Sequence, residues 1–241
     1  MLELIWITDY YARLISWLSN REVAMKTKSL LIILVLVAVF GGCKFGRGIA
    51  GSGNRKSEKR DLKSFNAIET SGFYEVKVTC QKPSSFEIEA DDNLLPLIKT
   101  EVLDGVLMVS NDQEFHSAKS TVLRTSLPDL TRLANHGAGN VTIMDANSNN
   151  LELNSTGAAS INADGKAKSI AITSAGAGSI DAGNLRAEKA SVTLSGAGSV
   201  QVYATDQLDV TISGVGSVTY GGNPKTVNKS VSGIGSVNPK N

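Results

Sequence analysis

Six short glycine-containing segments recur along the second half of the chain and constrain its fold more than any other feature. Their leading glycines follow one another at intervals of 20, 19, 20, 18 and 19 residues: Gly137, Gly157, Gly176, Gly196, Gly214 and Gly233. So steady a period is typical of repeat architectures, in which one unit cannot bury its apolar face alone. Residues 137–241 also hold 15 of the 23 glycines and only two aromatic residues, which favours a repeating interior over an ordinary two-layer core.

Each position around the leading glycine keeps one kind of side chain from copy to copy. Four residues before it stand Leu133, Leu153, Ile172, Val192, Val210 and Lys229. Four residues after it stand Val141, Ile161, Ile180, Val200, Val218 and Val237. Strands stacked about 4.8 Å apart would join these columns into one interior, and six coils would span about 29 Å. The repeat therefore predicts an all-β parallel β-helix (β-solenoid) with coils of about 19 residues, formed by three short strands and corners. An antiparallel meander or propeller is the alternative.

The columns also predict how the coils meet. Glycine at a corner permits positive φ and close approach between neighbouring backbones. The column three residues after the glycine, Asn140 and then serines, can form a hydrogen-bond ladder along the solenoid. Lys229 in the apolar column of the last copy predicts a terminal coil with a polar end.

The residues between 63 and 131 alternate in polarity with a period of two, so this half of the chain is predicted to be β as well. Residues 73–80 and 86–90 read as strands, and Asp104-Gly105 lies between two apolar pairs as a turn. Residues 94–98 predict a short helical turn or a bend. The predicted solenoid domain covers residues 63–241, with its six G-x-G-S repeats in 131–241.

The N-terminal segment has the layout of a secretory signal. Two lysines precede an apolar stretch at 29–40, which two glycines and Cys43 follow. The stretch is too short for a comfortable transmembrane helix, which needs about 20 apolar residues. Residues 1–42 are therefore predicted to be a signal segment. Residues 1–24 are interpreted as an over-long start, because the signal is compact when it begins at Met25.

The cysteine at the end of this segment resembles that of a bacterial lipoprotein. The resemblance implies that Cys43 is acylated and anchors the protein in a membrane, and Lys44 after it favours the outer membrane. An incidental cysteine beside an uncleaved anchor helix is the alternative. Residues 43–62 are small, basic and polar and are predicted to be a flexible lipidated tether. The G-x-G-x-x-G at 46–51 within it lacks the strand and helix that a dinucleotide site requires, so it is interpreted as a chance match.

The sequence indicates neither a metal site nor a catalytic constellation. Cys80 sits in an alternating strand pattern and is interpreted as a buried thiol, while His116 and His136 are not at a ligand spacing. The acidic residues of the repeats do not share a column: Asp145, Asp164, Asp181, Asp206 and Asp209. No catalytic, cofactor-binding or metal-binding residue is therefore predicted. A formal charge of +1 argues against a nucleic-acid partner.

The motifs as a set resemble those of the head GIN domain family of bacterial envelope proteins. The resemblance rests on F-N-A-I-x-x-x-G-F-Y-E-V-K-V at 65–78, on E-V-L-D-G-V-L-M-V at 101–109 and on the serial G-A-G-S segments. It covers about residues 62–238. It implies a right-handed parallel β-helix and an adhesin-like envelope lipoprotein of Bacteroidetes-type bacteria.

Two functions follow as hypotheses. The first is a non-enzymatic envelope lipoprotein, adhesin-like or a scaffold, that binds a glycan or an envelope protein; its oligomeric state and the side of the membrane it faces stay open. The second is a polysaccharide-active β-helix enzyme. Convergence of three or more carboxylate or basic groups in one cleft would favour the enzyme.

Overall fold

The computed structural model describes residues 48–240. The predicted signal segment, the lipidation site Cys43 and the first residues of the tether lie outside this range. Within it, strand is the dominant secondary structure, and the helical turn expected near residue 95 is the 3-10 helix η1, Leu95–Leu97. Nothing in the described range follows the glycines at 48 and 51 as a dinucleotide-binding helix would.

The first half of the described chain contains ten strands. They are β1 (Ile49–Ala50), β2 (Arg55–Lys59), β3 (Ala67–Ser71), β4 (Phe73–Thr79), β5 (Ser85–Asp91), β6 (Ile98–Leu103), β7 (Val106–Asn111), β8 (Phe115–His116), β9 (Thr121–Ser126) and β10 (Arg132–Asn135). The repeats supply the longer strands: β11 (Ala138–Ser155), β12 (Ala158–Ser174), β13 (Ala177–Leu194), β14 (Ala197–Ile212), β15 (Val215–Gly221), β16 (Thr226–Val231) and β17 (Ile234–Pro239).

Each of the first five repeats forms one coil, and its side-chain alternation reveals the corners. In β13, the buried residues are Ile180, Ala182, Leu185, Ala187, Ala190, Val192 and Leu194. The two places where this spacing widens from two residues to three mark changes of strand direction, because alternation along a straight strand has a period of two. Each coil thus has three faces, as predicted. The chain forms a solenoid of about five turns with coils of roughly 20 residues.

The strands of the repeats stack in parallel and in the predicted register. Leu133 pairs with Leu153, and the column continues to Lys229. The second apolar column runs in the same way from Val141 to Val237. Its members up to Val218 are at most 2 % exposed, so the shared interior that the repeat predicts is present. The alternative of an antiparallel meander or propeller is wrong for these coils.

A seventh copy of the repeat lies in the first half of the chain. Ser71-Gly72-Phe73 occupies the corner position, and Gly72 stacks directly on Gly137 although the two are far apart in the sequence. Strand β3 pairs with β10, and β4 pairs with β11. The intervening segment leaves the stack, builds β5 to β9 on the far side of β3 and β4, and then returns. The first half therefore continues the solenoid rather than forming a separate fold.

The leading glycines are required by close approach between backbones. A Cβ added at any of the six would lie 1.7–2.0 Å from the carbonyl oxygen of the glycine in the preceding coil. Positive φ, the other predicted reason, is not found at these positions. The predicted ladder of serines is present at one step only within residues 48–240, between Ser160 Oγ and Ser179 Oγ at 3.3 Å.

The two ends of the solenoid differ in structure. At the first end, residues 55–59 of the predicted flexible tether are ordered, which corrects that prediction. Residues 55–59 form β2, an antiparallel edge strand on β5, and Arg60 donates to the carbonyl oxygens of Leu95 and Ile98 at 3.0 and 2.6 Å. The sequence of β2, Arg-Lys-Ser-Glu-Lys, looks like a linker because an outermost strand has no apolar face to bury. Charged side chains on such an edge discourage further strand pairing.

The opposite end exposes its apolar residues. Ile234 is 76 % exposed and Val231 46 %. The predicted polar end is therefore present at Lys229 but not at Val231 or Ile234. Lys229 Nζ donates to the carbonyl oxygen of Val237 at 2.9 Å and lies 5.3 Å from the centre of the Tyr220 ring.

The predicted turn at Asp104-Gly105 joins β6 to β7 as an antiparallel hairpin. Both turn residues have positive φ, which is the conformation of a two-residue type I′ turn. Asp-Gly suits this turn because both residue types tolerate positive φ.

Candidate functional site

A groove runs parallel to the solenoid axis along the face that carries Leu185 and Ala187 in β13. We call this face the third face and the groove the axial groove. Its lining comes from Asp129, from segments 147–149, 166–168 and 186–188, and from Tyr203 and Thr205. These belong to five successive levels of the stack, so the groove is about 19 Å long at an inter-strand spacing of about 4.8 Å. Its volume is about 540 Å³.

Alternation along the third face builds the walls and floor of the groove. On each level two outward side chains flank one inward residue, as Lys166 and Lys168 flank Ala167. The inward residues Ser148, Ala167 and Ala187 are small and nearly buried, so the floor lies close to the backbone. The outward side chains are long and form the two walls. A continuous polar channel results from repeating one local pattern.

The middle of the axial groove carries concentrated positive charge. Lys166 and Arg186 are register neighbours on adjacent coils, and Lys168 follows two residues after Lys166. All three are exposed. Among the ion pairs of residues 48–240, none involves these three side chains.

The cation of Arg186 is held in place by the next level. Its guanidinium carbon lies 4.4 Å from the centre of the Tyr203 ring, within cation–π distance. Stacking of this kind uses the flat face of the guanidinium and leaves its N–H edge able to donate. Register explains the contact, since Arg186 and Tyr203 are paired residues of β13 and β14.

The two carboxylates of the axial groove differ in surroundings. Asp129 accepts a hydrogen bond from Ser148 Oγ at 2.5 Å, and the same hydroxyl lies 2.6 Å from the carbonyl oxygen of Leu130. Asp129 thus helps to attach the segment before β10 to the coil. Glu188 is exposed beside Arg186 on the same strand. Five charged side chains therefore converge on one groove, which is the observation that favours the enzyme hypothesis.

A second hollow adjoins the first and shares Asp129 and Asn149 with it. Its lining includes Arg132, Glu152 and Asn150. Asn150 accepts a hydrogen bond from Ser169 Oγ at 2.6 Å. The hollow extends the polar surface around the corner to the face that carries Leu151 and Glu152.

The residues singled out in the sequence lie away from the axial groove. Cys80 is 1 % exposed in the interior, as expected, and burial raises the pKa of its thiol to about 11, with the carboxylates of Asp129, Asp145 and Asp164 adding to the shift. His116 lies in β8, and His136 Nδ1 is 2.9 Å from Thr156 Oγ1.

The scattered aspartates of the repeats serve local structure. Asp164 Oδ1 accepts from the backbone N–H of Asp145 at 2.8 Å, and Asp181 Oδ1 accepts from that of Gly183 at 2.9 Å. Asp206 pairs with Lys225 Nζ at 3.0 Å; the hydrogen bond and charge of the lysine lower the pKa of this carboxyl.

Sequence reasoning missed the axial groove because its residues do not keep one offset from the leading glycine. Lys166 follows its glycine by nine residues, Arg186 by ten and Tyr203 by seven. The register shifts of the stack fall just before these positions, so an alignment on the leading glycine scatters them. Counting backward from the following glycine does better, since Lys166 and Arg186 each stand ten residues before it. That second alignment is the signal that could have found the paired cations.

Neither a metal site nor a membrane-spanning helix is found between residues 48 and 240. No group of three or more His, Cys, Asp or Glu side chains in this range is arranged to hold a metal ion. In the same range no helix has the length and hydropathy needed to cross a bilayer.

Comparisons with known proteins agree with this architecture. The family model described as "Putative auto-transporter adhesin, head GIN domain" matches residues 64–224. The solved structure of a protein from Bacteroides fragilis, described as a "putative adhesin", is 25% identical and has a TM-score of 0.64, covering 80% of this chain and 100% of that one. One from Parabacteroides distasonis, described as a "putative lipid binding protein", is 22% identical with a TM-score of 0.52, covering 81% and 100%. No curated protein matches the chain.

Proposed function

The chain belongs to the family described as "Putative auto-transporter adhesin, head GIN domain", and on that premise we propose that it is a non-enzymatic, adhesin-like protein of the cell envelope that binds an extended carbohydrate in the axial groove. The membership agrees with the resemblance seen in the motifs. The family description supports an envelope or surface role but names no ligand, so the ligand class is argued from the groove.

The observation that carries the proposal is the shape and rigidity of the axial groove. Apart from Asp129, its lining residues stand on stacked strands rather than on loops, so little backbone conformational entropy is lost when a ligand binds. A straight channel about 19 Å long, which spans the four spacings of about 4.8 Å between five levels, suits an extended polymer better than a compact small molecule. Amide, hydroxyl and basic groups follow one another along it, and these groups form hydrogen bonds with sugar hydroxyls.

Attachment to the outer membrane through acylated Cys43 completes the proposal. The sequence supports it through the signal layout and the cysteine that follows two glycines. Mass analysis of the envelope protein tests the anchor: wild type should carry acyl chains, Cys43→Ala should not, and unmodified wild type would contradict it.

A glycan array followed by calorimetry tests the binding function. The full protein is compared with the double variant Lys166→Ala, Tyr203→Ala, and with Lys189→Ala as a matched control on another face of the same coil stack. Each replaced side chain lies on the surface or is half-exposed, so we expect the fold to be kept. Wild type and Lys189→Ala should bind the same glycans and the double variant should lose them. Equal binding by all three, or binding of a protein but no glycan, would contradict the proposal.

A polysaccharide-active enzyme is the second candidate, favoured by the convergence of charged groups around Arg186 and Glu188. A base beside a cation and a tyrosine can in principle remove a proton from a bound sugar. Incubation with acidic and neutral polysaccharides, followed by measurement of new reducing ends and of absorbance from unsaturated products, decides between the two. Turnover that is lost in Glu188→Gln would establish the enzyme and overturn the non-enzymatic proposal.

A further inference from the structure

We infer that the ligand of the axial groove is a polyanionic polysaccharide, with acidic sugars bound at Lys166, Lys168 and Arg186. The inference rests on the proposed function and narrows its ligand class. It starts from the cations themselves: three of the five charged groups in the groove are basic, and within residues 48–240 none of the three forms an ion pair. Elsewhere on the described surface, Arg124, Lys99 and Lys225 have carboxylate partners and Lys189 has none, so the inference depends on the convergence of three unpaired cations in one groove.

The spacing of the cations suits a row of anions. Lys166 and Arg186 stand on adjacent strands about 4.8 Å apart. An extended polysaccharide advances by a similar length for each sugar, so successive carboxylates or sulfates along it can meet successive coils. Lys168 adds a third charge on the wall opposite Lys166. At the level of these two lysines, a bound polysaccharide would therefore have a cation on either side.

Arg186 supplies the geometric selectivity. Its guanidinium stacks on Tyr203, so its N–H edge is kept in one orientation and can donate two parallel hydrogen bonds to a carboxylate or sulfate. A free arginine side chain would lose more rotamer entropy on binding. The stack therefore prepares the cation before the ligand arrives.

The flanking groups favour a sugar chain over other polyanions. Asn147 and Asn149 lie on one side of the cations and Thr205 on the other, and their amides and hydroxyl match sugar hydroxyls. The groove has a single aromatic ring, whose face is covered by Arg186, so it lacks the stacking platforms on which single-stranded nucleic acids depend. The formal charge of the chain is only +1, against the basic surplus of a duplex-binding protein.

Calorimetry with the full chain tests the inference. The probes are polygalacturonate, its fully methyl-esterified form, in which the same sugars carry no charge, and a DNA duplex. The variants are Lys166→Gln, Arg186→Gln, and Lys189→Gln as a control cation of the same strand as Arg186 that lies outside the groove. Thermal unfolding of each variant is measured alongside, and it should match wild type because all three side chains are exposed.

We expect wild type and Lys189→Gln to bind polygalacturonate at least tenfold more tightly than the ester, and each groove variant to lose at least tenfold. Raising the salt from 50 to 200 mM should weaken binding of the acid and leave the ester unchanged, because counterions compete with fixed charges. If acid and ester bind equally and both depend on the groove, the anionic inference is overturned while carbohydrate binding stands. If neither binds, the anionic inference fails and the glycan array decides whether carbohydrate binding stands; if the groove variants bind as wild type does, both fail. Groove-dependent DNA binding as tight as that of polygalacturonate overturns the choice of a sugar polymer.

Discussion

The stacked corner glycines predict a large cost for one added methyl group. In Gly196→Ala the new Cβ would lie 1.9 Å from the carbonyl oxygen of Gly176, whereas ordinary van der Waals contact begins at 3.4 Å. The two coils would have to separate by about 1.5 Å at this corner to restore the usual distance between non-bonded atoms. No side chain can move aside to relieve the clash, because the atoms it meets are backbone.

Separation of the coils would break the hydrogen bonds that cross the corner. Ala197 N–H and Ser195 N–H donate across it at 2.9 Å, and Gly196 N–H at 3.1 Å. A displacement of this size puts all three beyond hydrogen-bonding distance. At about 1 kcal/mol each, the expected loss in the free energy of unfolding is about 3 kcal/mol. For a domain of this size the melting temperature should fall by about 6–12 °C.

Urea unfolding followed by far-UV circular dichroism measures this loss, and Gly183→Ala is the matched control. Gly183 lies in the preceding coil, and a Cβ there would meet only the movable side chains of Asp181 and Gln201, at 3.1 Å and beyond. We expect the control to change stability by no more than about 0.5 kcal/mol, as most surface substitutions do. The reasoning is refuted if Gly196→Ala is as stable as Gly183→Ala.

Three further predictions concern the interior, the hairpin and the open end. Burial raises the pKa of Cys80 from 9.0 to about 11, so the folded thiol keeps its proton to a higher pH than the unfolded one. The stabilising effect of the protonated thiol is complete below about pH 9 and is lost toward pH 11, at about 1.4 kcal/mol per pH unit. Cys80→Ala should flatten the plot of unfolding free energy against pH in this window. An unchanged slope would contradict the raised pKa of Cys80. Gly105→Ala should lower the free energy of unfolding by about 1–2 kcal/mol. The whole cost comes from positive φ, because a Cβ there meets nothing closer than 3.5 Å. Urea unfolding measures the loss, and a larger value would indicate a clash and contradict this reason. Lys229→Leu removes the charge that ends the apolar column and should cause concentration-dependent association in sedimentation velocity; a variant that stays as monodisperse as wild type would show that the lysine does not protect this end.

The interior of the solenoid could be predicted because burial imposes a period on the sequence. The column from Leu133 to Val210 can be recognised in the sequence, since each member must be apolar to share one core with its neighbours. The level at Gly72 escapes the same reading, although Ile68 and Val76 stand at the right offsets from it. The segment that forms β5 to β9 separates Gly72 from Gly137 in the sequence, so the period is not apparent there. The structure reveals it, because the two glycines stack on each other.

The parts that escaped prediction are those where burial imposes no pattern. Strand β2 has no apolar face, so its charged sequence cannot be told from that of a linker. The axial groove consists of exposed side chains such as Lys166 and Arg186, which the core does not constrain. Their alignment depends on register shifts that differ from coil to coil, so it does not appear in the sequence as a constant offset.

The two ends of the solenoid differ from its middle coils, so the number of coils can change without altering either end. Every leading glycine from Gly137 to Gly233 meets the same neighbour in the same way, so a coil could be gained or lost in the middle without altering the charged edge at β2 or the lysine at the other end. One coil added within the third face would lengthen the axial groove by about 4.8 Å. A change in the number of coils would thus alter the length of the groove in whole steps, and no new kind of contact between coils would be needed.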